Sequence, residues 1–193
     1  MPRRWTSYLT QLTLGLLFAS VAMNVLQARK IRDLVEPAVS VRSRVGQVAS
    51  PVTATALDGR ARTISFDGAL PTVVYFFSST CRWCERNWAN VAALARASTG
   101  RFRVVGLATE TDLATFAKAR NLDFELFGGL SEEARRSLGL GATPHTLVVS
   151  SQGRISHEWV GAFDTRRKRA IENFFEIELP GLLPDSPKGS TER

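Results

Sequence analysis

Thr72-Val-Val-Tyr-Phe-Phe-Ser-Ser-Thr-Cys-Arg-Trp-Cys84 joins an uninterrupted apolar run to two cysteines three positions apart. The run Thr72 to Phe77, introduced by Pro71, is β-branched and aromatic throughout, which suits a strand buried on both faces. From Cys84 to Ala97 the apolar positions Trp88, Val91, Ala92, Leu94 and Ala95 recur at helical spacing and stop before Gly100. The cysteine pair therefore falls where a buried strand hands over to a helix. These are the chain's 2 cysteines, too few for a disulfide framework, and a four-ligand zinc site normally needs a second such pair or added histidines. A lone CxxC points to redox chemistry.

Disulfide exchange needs a thiolate, and a free thiol of pKa about 8.5 is only slightly ionised at neutral pH. A helix start supplies unsatisfied amide donors and a positive dipole end, and Arg82 adds a cation beside Cys81. CxxC thiols at such places reach pKa values of roughly 3.5 to 7.5. Cys84 lies one turn further on, able to attack a mixed disulfide formed at Cys81. Cys81 is read as the nucleophile and Cys84 as the resolver. Trp83 either shields the pair and touches a partner or packs on its own helix as a surface aromatic. Glu110, at the end of the next predicted strand, is the acid placed to approach the site and tune it.

Outward from this centre, Val52 to Leu57, the turn Asp58-Gly59 and Ala61 to Phe66 read as an opening hairpin. Phe102 to Ala108 reads as a strand followed by a helix capped near Thr111 and carrying Leu113, Phe116 and Ala117. Strand, helix, strand, helix implies parallel pairing. Ser131 caps a short helix with Glu132 and Glu133 in its first turn, closed by Gly139 and Gly141. Thr143-Pro144 introduces Thr146 to Ser150, which joins Ile155 to Val160 through Ser151, Gln152 and Gly153 as an antiparallel hairpin. Asp164 or Thr165 starts a last helix with Ile171, Phe174, Phe175 and Leu179 inward, and Pro180 stops it. The fold class is α/β, a mixed sheet flanked by helices with an N-terminal hairpin extension. The domain spans 46–179, and 180–193 reads as a disordered tail.

Of the net charge of +7, residues 1 to 44 account for +5, with seven Arg/Lys against Asp33 and Glu36. The dense basic run Arg166 to Arg169 reads as a solvated helix face, so no nucleic-acid partner is expected. Thr6 to Ala28 carries no charged side chain, and twenty-odd residues can cross a hydrocarbon core of roughly 30 Å. Residues 1–28 are read as a transmembrane anchor and 29–45 as a tether. A signal peptide cleaved after Ser20-Val21-Ala22 is the competing reading, against which the apolar run continues through Met23, Val25 and Leu26. Charges on the two flanks do not decide orientation. The redox chemistry favours a catalytic domain outside the cytoplasmic membrane.

In this order, Val45-Gly46-Gln47 with the Asp58-Gly59 hairpin, VVYFFSSTCRWC, and GLGATPHTLVVSSQGRI followed by a strand ending at Gly161 resemble the membrane-anchored TlpA-like branch of the thioredoxin superfamily. The resemblance implies a thioredoxin-like fold, reduction of disulfides in exported partner proteins, a membrane electron donor, no cofactor and a place in the bacterial inner membrane. It also implies that the Thr143-Pro144 bond, which alone would read as an ordinary trans turn, is cis and sets Thr143 and Pro144 over the sulfurs as a substrate-binding platform. Three departures stand out. Thr80 occupies the place of a common Trp, and no proline separates Cys81 from Cys84. Many relatives carry a buried acid where this chain has Tyr75 or near Asn87, which leaves the proton acceptor for the second thiol unassigned.

Two other functions compete. A copper chaperone would use Cys81, Cys84 and His145 as soft ligands, although such chaperones usually place three residues between the cysteines; otherwise His145 is solvent-facing or structural, as is His157. A peroxidase needs a proline ahead of its cysteine at the position that Val74 fills.

Overall fold

The computed structural model describes residues 3–39 and 43–184, with the side chains of 3–10, 12 and 31–39 excepted. Strand β3 (Thr72–Phe77) is buried at every position, as its unbroken apolar run predicts. It lies between β4 (Arg103–Ala108), which pairs parallel to it, and β6 (His145–Val149), which pairs antiparallel. Outside β6 runs β7 (Ile155–Val160), antiparallel. On the other side, β5 (Glu125–Gly128) is parallel to β4 and antiparallel to β1 (Val52–Ala56), which forms a hairpin with β2 (Ala61–Ile64). The seven-stranded order is β2-β1-β5-β4-β3-β6-β7.

Alternation along the strands divides the core. Val74, Phe76, Val105, Leu107, Leu147 and Val149 pack on one face with Ile64, Phe66 and Leu138, beside the short α4 (Glu132–Ser137). Val73, Val104 and Val148 meet Leu94 of α2 (Arg82–Ser98) and Ile171 and Phe175 of α5 (Thr165–Phe175) on the other. Further along that second face, Tyr75, Phe77 and Ala108 enclose Cys84, Trp88 and Val91, with Leu113 and Ala117 from the region of α3 (Ala114–Ala119). The capping expectations hold at Ser131 and Asp164, whose side chains accept from Ala134 N–H and Arg167 N–H.

Four expectations are corrected. Strand β5 is absent from the sequence reading: it has 4 residues and ends on Gly128, directly before Gly129, too short for alternation to show. Helix α3 starts at Ala114 behind Leu113, with no side-chain cap from Thr111. The tail expected to be disordered is held up to Leu183, whose N–H donates to Arg86 O at 2.8 Å while Arg86 Nε donates to Leu183 O at 2.8 Å; 185–193 lie outside the described residues. The N-terminal segment is one helix, α1 (Arg3–Val39), that takes in much of the supposed tether. Among the described residues no helix is long and apolar enough to cross a membrane: in the stretch 13–30, Ser20, Asn24, Gln27, Arg29 and Lys30 dilute the apolar side chains. The start of the expected anchor, at 1–2, and the side chains of 3–10 and 12 lie outside the described residues.

Helix α1 belongs to a unit of residues 1–40, separate from the unit formed by 41–193. The second unit uses its first residues structurally. Arg44 N–H donates to Glu158 Oε2 at 3.0 Å, Arg44 Nη2 to Arg136 O at 3.1 Å, and Gly46 N–H to Ile155 O at 2.7 Å. A chain that starts at residue 41 should therefore fold, whereas one that starts at 47 leaves the buried Glu158 short of a donor. Thermal unfolding should show a melting temperature lower by about 5 °C or more for the shorter chain; equal values would show that Arg44 to Gly46 are dispensable.

Candidate active site

The strand-to-helix handover places both thiols. Cys81 is the N-cap residue of α2, with extended backbone angles of φ −77° and ψ 110°, and its sulfur accepts the Cys84 N–H at 3.2 Å. A sulfur thus takes the role that a Ser or Asp oxygen commonly plays at a helix start. Cys81 is partly exposed, and Cys84, one turn into α2, is buried. Both are free thiols.

Cys84 sits within an aromatic shell. Trp88 meets Tyr75 edge-on with centroids 5.4 Å apart and Phe77 at 5.0 Å, and Phe116 stacks on Phe77 at 5.4 Å. Burial there pushes the Cys84 thiol well up, and Cys81 adds to the rise; the main chain of Ser78 and the Thr143 hydroxyl act in the opposite sense. The Thr143-Pro144 bond is cis.

Glu110 acts one step away from the thiols. Its Oε1 accepts from Ser78 Oγ at 2.6 Å, Ser79 N–H at 3.0 Å and Ser79 Oγ at 3.2 Å. It therefore clamps the Ser78-Ser79 loop, whose Ser78 O accepts the Cys81 N–H at 3.2 Å. Burial alone would raise the Glu110 carboxyl, but the Ser78 hydroxyl and the main-chain and hydroxyl donors beside it hold it below its usual value. The main chain of Glu110 is itself gripped: Gly129 N–H donates to Glu110 O at 2.9 Å. A Cβ at Gly128 would lie 2.1 Å from that same oxygen, so only glycine fits.

The other expected site residues lie at different depths. Arg82 is exposed at the first position of α2. Trp83 is 51% exposed, with the Arg86 guanidinium 4.9 Å over its ring. His145 is buried on the face opposite Cys84, among Phe76 and Leu147 in register, and its Nε2 lies 3.0 Å from Glu158 Oε1. Burial lowers its pKa against the pull of Glu158. This is the structural alternative, and it withdraws His145 from the thiols as a common ligand. His157 stacks with Trp159.

Sequence reading passed over Ser78 and Ser79 as Glu110's donors, and over Asn90. The sign for Asn90 was available: Asn87 and Asn90 stand at i and i+3 on the same helix face as Cys84, Trp88, Val91 and Leu94, where apolar residues are the rule.

A seven-stranded mixed sheet with a CxxC pair at the start of the helix after its central strand defines a thioredoxin-like protein. The chain belongs to the AhpC/TSA family, whose profile matches residues 45–158. The fold is shared with the thioredoxin domain of a thiol-disulfide oxidoreductase from Bacteroides vulgatus, at TM-score 0.55 and 18% identity over 68% of this chain and 97% of that one. It is also shared with StoA from Bacillus subtilis, at TM-score 0.53 and 17% identity over 67% and 96%. A peroxiredoxin-like protein from Aquifex aeolicus aligns at TM-score 0.51 and 12% identity over 60% and 74%. No protein with a curated description matches in sequence.

Glu110 supplies a test with a definite sign. A carboxyl whose pKa is depressed on folding adds stability that is present above its unfolded value, near 4.5, and is lost as pH falls through the folded value. Glu110→Ala should melt below the wild type at neutral pH, with the gap closing as the pH is taken below the carboxylate range. A gap that stays constant with pH would mean that the clamp does not depend on the charge.

Proposed function

We propose that this chain is a thiol-disulfide oxidoreductase of the TlpA-like kind, in which Cys81 attacks a disulfide of a partner protein and Cys84 resolves the mixed disulfide. The observation that carries this reading is the inequality of the two thiols: Cys81 partly exposed at a helix N-terminus, Cys84 buried one turn behind it.

The steps follow from that geometry. The Cys81 thiolate attacks one partner sulfur; the partner's disulfide breaks, and its other sulfur leaves with the bonding pair and takes up a proton. Cys84 then attacks Cys81, the Cys81–Cys84 bond forms, and the first partner sulfur departs as a thiolate. The partner is reduced by two electrons and the pair oxidised by two. The partly exposed Cys81 sulfur at the amide end of α2 is open to a partner, while burial disfavours charge on Cys84 until the mixed disulfide has formed. Thr143 and Pro144 form the platform beside the sulfurs on which a partner strand would lie, with the exposed Trp83 at its margin.

The substrates in this reading are exported proteins with cysteine pairs, and electrons come from a membrane donor, with the domain outside the cytoplasmic membrane of a bacterium. Helix α1 would hold it at the bilayer: Leu16, Leu17, Phe18 and Leu26 are each 60% or more exposed, an apolar surface that a lipid phase would cover. The copper-chaperone reading has lost its third ligand, because His145 is buried on the opposite face.

The duties of the cysteines separate in a trapping experiment. Cys84→Ser should accumulate mixed disulfides with partner proteins, and Cys81→Ser should accumulate none. Equal trapping by both variants, or by neither, would contradict the assignment.

A further inference from the structure

We infer that Glu110 is a positioning residue for disulfide exchange, which holds the nucleophile Cys81 in place through the loop from Ser78 to Thr80. The inference rests on the reading of Cys81 and Cys84 as attacking and resolving thiols, and supplies what sets the geometry between them.

Helix α2 does not by itself fix the backbone of Cys81. As the N-cap residue, Cys81 has extended angles of φ −77° and ψ 110°, and it joins the first turn through its carbonyl, which accepts the Glu85 N–H at 3.0 Å. Its own N–H donates the other way, to Ser78 O at 3.2 Å. The place of Cys81 Sγ relative to Cys84 therefore follows from where Ser78 sits. Strand β3 ends at Phe77, so the sheet ladder does not hold Ser78.

What holds Ser78 is one carboxylate. At neutral pH a carboxylate is ionised and can only accept, so the Ser78 hydroxyl gives its single proton to Glu110 Oε1 at 2.6 Å. The Ser78 hydroxyl oxygen is then an acceptor, and takes the Thr80 N–H at 3.3 Å and the Thr80 hydroxyl at 3.0 Å. Ser79 adds its N–H at 3.0 Å and its hydroxyl at 3.2 Å to the same Oε1. Every residue between β3 and Cys81 is thus tied to Glu110, directly or through Ser78.

The sheet puts Glu110 in position for this. Parallel pairing sets Phe77 beside Ala108, so Ser78 and Ser79 leave β3 next to Thr109 and Glu110 leaving β4. From behind, Gly129 N–H donates to Glu110 O at 2.9 Å and Leu130 N–H to Ala108 O at 3.0 Å, while Gly128 leaves free the space that a Cβ would take from Glu110 O. A line of contacts from the end of β5 through Glu110 and Ser78 thus reaches the nucleophile. Orientation counts most in the resolving step, where the closeness of Cys84 to Cys81 stands in for the concentration of a second reactant.

The test uses the full-length protein with a nitrothiobenzoate group attached to Cys81 through a mixed disulfide, followed by stopped flow. The Cys84 thiol gives its proton to water and attacks Cys81 Sγ; the Cys81–Cys84 bond forms, the bond to the reagent sulfur breaks, and a coloured thiolate leaves. Glu110→Ala should slow this release roughly 10-fold, the low end for a hydrogen bond to a charged group, while alkylation of Cys81 by free iodoacetamide stays within about threefold of the wild type. Ser78→Ala should slow release more in the wild type than in Glu110→Ala, because the two side chains act through one contact; the same factor in both backgrounds overturns the inference. A Glu110→Ala variant that melts lower yet releases at the wild-type rate overturns it and leaves the Cys81–Cys84 reading standing, as does an equal loss of release and alkylation. A wild type that never releases the group overturns both. Should Glu110→Ala fold poorly, Glu110→Gln, which keeps an uncharged acceptor of the same reach, should slow release by about threefold, and release at the wild-type rate by that variant overturns the inference.

Discussion

The burial of β3 on both faces is the constraint on which the rest of the structure depends. Because Val73, Tyr75 and Phe77 must face α2 while Val74 and Phe76 face the opposite core, the strand has one register and delivers the chain to Ser78 at one place. From there the loop is short, and Cys81 arrives as the N-cap of α2. The first thiol meets the amide end of the helix and the second is carried inward among aromatic rings. Each large side chain buried in this way contributes roughly 1.5–3 kcal/mol, so the placement of the site is supported by the same contacts that hold the sheet together.

The loop between strand and helix is held by means that are neither strand nor helix. Glu110 collects three donors from Ser78 and Ser79, and Gly128 approaches the Glu110 carbonyl more closely than any side chain would allow. Strand β5, which carries Gly128, thus links the N-terminal hairpin to the sheet and also backs the loop that leads to Cys81. At the far side of α2, Asn90 takes the Gly181 N–H and Arg86 pairs with Leu183. The C-terminal segment is by these bonds part of the helix that bears the thiols.

Much of this was legible in the residues, for particular physical reasons. The β3–α2 junction, both hairpins and α5 could be read because their apolar periods are strong and their turns carry Gly, Asp or Pro. The cis bond at Thr143-Pro144 was legible only through family resemblance. Elements whose placement depends on partners distant in the chain were not legible. β5 has too few residues for a period, and the segment after Pro180 has a composition that suggests disorder yet finds its partners on α2. His145 could not be assigned to a face until the register of β6 put Thr146 beside Tyr75, which turned His145 to the other side. Glu110 was identified as the relevant acid, but its work is on the loop and not on the sulfurs. Tyr75 and Asn87 stand out in the sequence only for lacking a carboxylate; in the structure Phe163 N–H donates to Asn87 Oδ1 at 3.1 Å and Asn87 Nδ2 donates to the Tyr75 hydroxyl at 3.3 Å.

The central claim is that Cys81 and Cys84 form a reversible two-electron couple that works in the reducing direction. The equilibrium of the pair against a dithiol buffer of known potential tests it most directly, with the fraction of intramolecular disulfide followed by thiol labelling. The account predicts a single two-electron transition near the thioredoxin value of about −270 mV. A pair that never forms the intramolecular disulfide, or one whose midpoint lies near the strongly oxidising value of about −120 mV, would contradict it.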